Sequence, residues 1–120
     1  SNLTSVTIPA SITTIGVQTF GNCSGLRQVI IPEGVTSISE GAFFKCSDLA
    51  EVTIPSSVKF LGKGSFSRCG ELKSVTFFGD APSASSDSFG GSEPTIYYRS
   101  GSQGWGDTFA GLATEAIPSE

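Results

Sequence analysis

Residues 26–46 read LRQVIIPEGVTSISEGAFFKC, from Leu26 to Cys46. Leu26 is followed three residues on by Val29 and two further on by Ile31. That spacing has the alternation of a strand: Val29 and Ile31 point one way, and Ile30 between them points the other. Pro32 ends the strand, because it has no N–H to give to a ladder. Val35 and Ile38 form a second apolar pair, which reads as an extended or turn segment on another side of the unit. Gly41-Ala42-Phe43 and Cys46 then read as a short turn, or one helical turn, leading back toward Leu49.

The spacing recurs every 23 residues in both directions. Units open at Leu3, Leu26, Leu49 and Leu72. The inward rows are Val6, Val29, Val52 and Val75, then Ile8, Ile31, Ile54 and Phe77. Pro9, Pro32 and Pro55 mark the first three units. Phe20, Phe43, Phe66 and Phe89 keep phase, as do Cys23, Cys46 and Cys69, with Ser92 in the fourth place. Self-similarity at this period is the signature of a solenoid. Each unit has about six apolar positions and cannot cover them alone, so identical coils stack and bury each row against its copies. A fully buried large side chain contributes about 1.5–3 kcal/mol, against about 1–2 kcal/mol per residue for ordering the backbone. One coil therefore fails and several together succeed. The expected fold is a β-rich α/β solenoid of about four coils, with parallel strands at ~4.8 Å spacing.

The pattern LxxVxIPxxVxxIxxxaFxxC resembles the BspA-like leucine-rich repeats of bacterial surface proteins and some protozoan ones. It covers Leu3 to Cys69 well and the fourth unit in part. The resemblance implies a right-handed leucine-rich-repeat superhelix, a cell-surface or secreted location, and binding of host proteins. It implies no assignable active-site residues. A fold does not fix what is bound.

Composition bounds the chemistry. The chain has 120 residues, a net charge of −4 and no histidine. One domain fits this length. No apolar run is long enough to span a bilayer. Seven basic residues are scattered, too sparse to track phosphates, so nucleic acid is not an expected partner. Without histidine there is no Ser-His-Asp or Cys-His arrangement, and no carboxylate pair for glycoside hydrolysis is visible in the sequence. An enzyme is not expected, and neither is a cofactor. Three cysteines without CxxC make a poor zinc site and an incomplete disulfide framework; they read as stacked core thiols. Asn2-Leu3-Thr4 and Asn22-Cys23-Ser24 match the glycosylation pattern, but each centres on an expected core residue. Asp80, Asp87 and Glu93 share a loop without calcium-motif spacing. Lys45 and Arg68, like Glu40 and Lys63, hold one position in successive units and read as solubility choices. The chain opens directly into a repeat, which reads as a mature or excised fragment.

Two candidate binding surfaces follow. Outward positions of the strands give rows Thr7–Ile30–Thr53–Thr76 and Ser5–Gln28–Glu51–Ser74, beside Thr4–Arg27–Ala50–Lys73. A partner-binding face would use Arg27, Gln28, Ile30, Glu51, Thr53, Lys73 and Thr76; without aromatic anchors, a solvated sheet face is the simpler reading. The second surface is aromatic. Thr95 to Arg99 is a short β-rich run holding Tyr97 and Tyr98, and residues 103–110 read as one or two helical turns that place Trp105 and Phe109 on one face. Tyr97, Tyr98 and Trp105 form either a platform for a sugar or the bulky closure that an open solenoid end needs. Ile117-Pro118 reads as a frayed tail. The domain reading is four repeats over residues 1–92 (3–25, 26–48, 49–71 and a degenerate 72–92), then a capping segment over 93–120. The expected role is a monomeric, non-catalytic, adhesion-type module binding a host or extracellular-matrix protein or a surface glycan, with no membrane insertion by this segment. The alternative is a purely structural spacer, or the terminal segment of a longer repeat array.

Overall fold

The computed structural model describes residues 5–8, 11–16, 21, 25–84 and 87–117. Leu3, Thr4, Pro9, Phe20 and Cys23, and both glycosylation-pattern asparagines, lie outside these. Among these residues ten strands follow in order: β1 (Ser5–Thr7), β2 (Thr14–Ile15), β3 (Gln28–Ile30), β4 (Ser37–Ile38), β5 (Glu51–Ile54), β6 (Phe60–Leu61), β7 (Ser74–Phe77), β8 (Thr95–Arg99), β9 (Thr108–Phe109) and β10 (Leu112–Ile117). They form a seven-stranded sheet, β1-β3-β5-β7-β8-β10-β9, and a three-stranded sheet, β2-β4-β6.

The repeat sets the register. Val6 pairs with Val29, Val29 with Val52 and Val52 with Val75, all parallel. Leu26, Leu49 and Leu72 are buried in the single core. Phe43 and Phe66 stack with centroids 5.1 Å apart and planes 3° off parallel, and Phe66 stacks on Phe89 at 5.5 Å. Three coils carry both strands. The fourth keeps the first, β7, but its second is reduced to one bridge between Phe60 and Ser83. Among the described residues about three full turns are present, fewer than the four expected.

No helix occurs among the described residues, so the α/β expectation is corrected to a β-solenoid. The reason lies in the hydrogen bonds of the Gly-Ala-Phe turn. Gly41, Phe43 and Lys45 donate their N–H groups to Lys63, Ser65 and Ser67 of the next coil. Only the alternate residues, Ala42 and Phe44, donate locally, to Ser39 and Gly41. A helix would need every N–H for itself. Lys45 and Arg68 end these turns in the left-handed region, at φ 62° and 59°. A residue with a Cβ is held there at a cost of roughly 1–2 kcal/mol.

The cysteine row has a structural explanation. Cys69 Sγ donates to the Phe43 carbonyl at 3.2 Å and accepts the Cys46 N–H. Ser92 repeats this one coil on: its Oγ donates to the Phe66 carbonyl at 2.7 Å and accepts the Cys69 N–H at 2.8 Å. The side chain at this position satisfies the backbone corner of the preceding coil. Cys46 and Cys69 are buried thiols, neither joined in a disulfide. Burial pushes the Cys69 thiol up to about 11, so it stays protonated and is a donor, not a nucleophile. Cys69→Ser is expected to keep stability within about 1 kcal/mol, because it reproduces the bonds of Ser92, whereas Cys69→Ala is expected to lose about 1–3 kcal/mol by orphaning a buried carbonyl. Urea denaturation of the two variants checks this; equal stabilities would remove the hydrogen-bonding role.

The C-terminal stretch differs from expectation. Residues 103–110 hold no helical turn. Gly104 and Ala110 take φ 89° and 53°, breaking any helical run, and Thr108–Phe109 forms β9 against β10. Ile117 belongs to β10, which continues the parallel sheet: Thr114 pairs with Ile96 and Ile117 with Arg99.

Candidate functional site

Strand alternation puts Gln28, Glu51 and Ser74 in one outward row, extended by Thr95. A second row runs Ile30, Thr53, Thr76 and Tyr97. The register therefore moves Tyr97 onto the candidate strand face. Tyr98 pairs with Phe77 in an inward row instead. Its ring stacks on Trp105 at 5.0 Å and 7°, and Trp105 also packs against Phe77 and Phe109. Trp105 Nε1 donates to the Gly79 carbonyl at 3.1 Å. Tyr97, Tyr98 and Trp105 are thus not one surface: two join a half-buried aromatic cluster and one joins the outer face.

The candidate strand face is divided as well. Arg27 lies at one margin of the sheet, in a small cleft with Asp48, Ala50 and Glu71, and Lys73 continues its row. Ile30 and Thr53 lie toward the opposite margin, where the strands end. There they border a groove of about 410 Å³. Ile30 is 57% exposed, against a fully buried Val29 beside it. Pro32, Pro55 and Phe78 supply apolar walls. Arg99 stands at one side, its guanidinium 5.3 Å from the Phe78 ring centroid. Glu33 also lines the groove, and its carboxylate accepts the Ser56 N–H and hydroxyl at 3.0–3.2 Å.

Pro32, Glu33, Pro55, Phe78 and Arg99 were not among the sequence-derived candidates. One signal was present. Phe78 occupies the place that proline holds in the first three units, and Arg99 falls beside it once β8 takes the next rung. Among the described residues, no group of three His, Cys, Asp or Glu side chains is placed to hold a metal ion. Asp80 accepts the Gln103 N–H, and Asp87 lies 3.9 Å from Lys63.

Stacked parallel rungs around ladders of leucine, valine, isoleucine and phenylalanine, with an outward strand face, define a leucine-rich-repeat solenoid. The model of the BspA type leucine rich repeat region matches residues 1–98, in six copies. The chain belongs to that family. Its fold is similar to the crystal structure of a leucine-rich repeat protein from Bacteroides ovatus, with a TM-score of 0.63 and 26% sequence identity. The similarity covers 92% of this chain and 30% of that one. No curated protein matches the sequence.

Proposed function

We propose that this repeat module is a non-catalytic, protein-binding segment of a bacterial cell-surface or secreted protein. It engages an extended segment of a host or extracellular-matrix protein along the Ile30–Thr53–Thr76–Tyr97 row and into the adjoining groove. The observation that carries this is Ile30, a large aliphatic side chain held in solvent beside an apolar groove flanked by a cation. An exposed apolar patch with a polar margin marks interaction surfaces. Arg99 above Phe78 offers a carboxylate a partner while its stem covers apolar surface. The family supports the surface location, and the absence of histidine supports a non-catalytic role.

The module winds right-handed, the hand that parallel crossovers take. The described part of the capping segment, residues 93–117, closes its C-terminal end: Tyr98, Trp105 and Phe109 cover Phe77, where the aliphatic row would otherwise stop.

The test is binding of the chain to an array of purified matrix proteins, with Ile30→Asp and Arg99→Glu variants in parallel. Wild type is expected to retain a partner that each variant loses about tenfold or more, the size of effect expected when an interface anchor is removed. Retention unchanged in both variants overturns the groove as the binding site. Retention of nothing by wild type favours the spacer reading.

A further inference from the structure

Lys45 and Arg68 occupy one position in successive coils, on a different part of the surface from the groove. Their backbones are adjacent rungs: the Lys45 N–H donates to Ser67 at 2.8 Å, and the Arg68 N–H to Gly90 at 2.7 Å. Both side chains are exposed. The next coil places Gly91 at this position, with φ 78°, where glycine carries no Cβ strain. Coils two and three accept the left-handed strain and place a cation there instead.

The two cations border an open cleft of about 710 Å³, together with Ser47, Ser67 and three glycines. Among the described residues no carboxylate lines this cleft, and neither Lys45 nor Arg68 has an ion pair. Glu40 and Asp87 lie with Lys63 in an adjoining cleft that shares Ser67, and Asp48 and Glu71 with Arg27 in another. Like charges facing one another across a ladder repel. On a chain of net charge −4 this pairing leaves two neighbouring cations with no ion-pair partner among the described residues. A shared anion relieves it.

We propose that the Lys45–Arg68 cleft binds a sulfate ester group of an acidic polysaccharide. The arginine fork matches two oxygens of a tetrahedral oxyanion, and the lysine adds a point charge. The Ser47 hydroxyl makes no hydrogen bond to a described residue and is free to donate. Gly70, Gly90 and Gly91 line the cleft without side chains to fill it. Two cations are too few to follow a nucleic-acid backbone. This site is independent of the groove.

The experiment titrates the chain with a heparin-derived hexasaccharide at low ionic strength. The comparison ligands are its desulfated counterpart and a phosphorylated oligosaccharide of the same size. The test variant is Lys45→Gly with Arg68→Gly, which removes both charges and also the left-handed strain, so the fold survives and a thermal melt verifies it. The sulfated sugar is expected to bind the double variant about tenfold more weakly, with a flatter salt dependence, as loss of two charge-assisted contacts requires. The desulfated sugar is expected to bind wild type comparably weakly. Ile30→Asp is expected to leave sugar binding unchanged, which separates this site from the protein-binding groove. Equal binding by wild type and double variant overturns the proposal, as does no binding of the sulfated sugar to wild type. Tighter binding of the phosphorylated sugar overturns the sulfate assignment.

Discussion

Phe66→Ala is expected to lower the free energy of unfolding by about 3–5 kcal/mol, the range for removing a buried phenylalanine. Phe66 is fully buried and has aromatic neighbours on both faces, Phe43 below and Phe89 above. Truncation removes both stacks and leaves a void between coils whose backbones are tied together. The Phe66 N–H bonds to Ser88 and the Phe43 N–H to Ser65, so the walls cannot collapse inward. A solenoid's stability is a sum of coil and interface terms. The void weakens two interfaces at once, and urea unfolding should broaden as well as shift. A loss below about 1 kcal/mol, the level of an ordinary surface substitution or less, would mean that the phenylalanine column does not hold the coils together.

The strand ladder was legible because repetition carries it. One unit's alternation is weak evidence, but Val6, Val29, Val52 and Val75 recur in phase and so favour one register, which the strands adopt; Val29, Val52 and Val75 are buried in it. The turn was misread as partly helical for a physical reason. Its Gly-Ala-Phe spacing suits a helical turn, and nothing local reveals that alternate N–H groups are claimed by the coil above. The C-terminal stretch failed differently. Ile117-Pro118 reads as a frayed tail, and the stretch before it, from Leu112, alternates poorly. It is held as a strand by pairing with β8, a contact between residues 18 apart by register, Thr114 with Ile96, outside the 23-residue period.

The candidate surface was half legible. Outward strand positions follow from parity, so Gln28, Ile30, Glu51, Thr53 and Thr76 could be found without coordinates. The groove could not. It depends on Arg99 arriving beside Phe78, and that follows only once β8 is known to add to β7 with an offset of 21, Thr95 against Ser74. The same offset explains why Tyr97 and Tyr98 parted. They are neighbours in sequence and on opposite faces of a strand.

Gly62→Ala tests the closeness of the coils, and its expected cost is about 3 kcal/mol or more, at or beyond the upper end for overpacking. Gly62 is not in the left-handed region, so its backbone would accept alanine; space is the obstacle. A Cβ there would lie 2.5 Å from the Glu40 nitrogen and 2.6 Å from the Ser39 carbonyl carbon. Both are backbone atoms of the preceding coil, so no side-chain rotation relieves the clash. The Gly62 N–H bonds to the Ile38 carbonyl at 2.7 Å, which draws the two coils together at this point. Alanine must part them and weaken that rung. Gly70→Ala is the matched control, because a Cβ at Gly70 meets nothing within 4 Å. Both substitutions stiffen the unfolded chain by a similar amount, about 0.4–1 kcal/mol, so their difference isolates the contact. At roughly 4 °C per kcal/mol for a domain of this size, the melting temperature of Gly62→Ala is expected about 12 °C below that of Gly70→Ala. Melting curves that superimpose would show that the coils part without cost at Gly62, and the close stacking inferred there would be wrong.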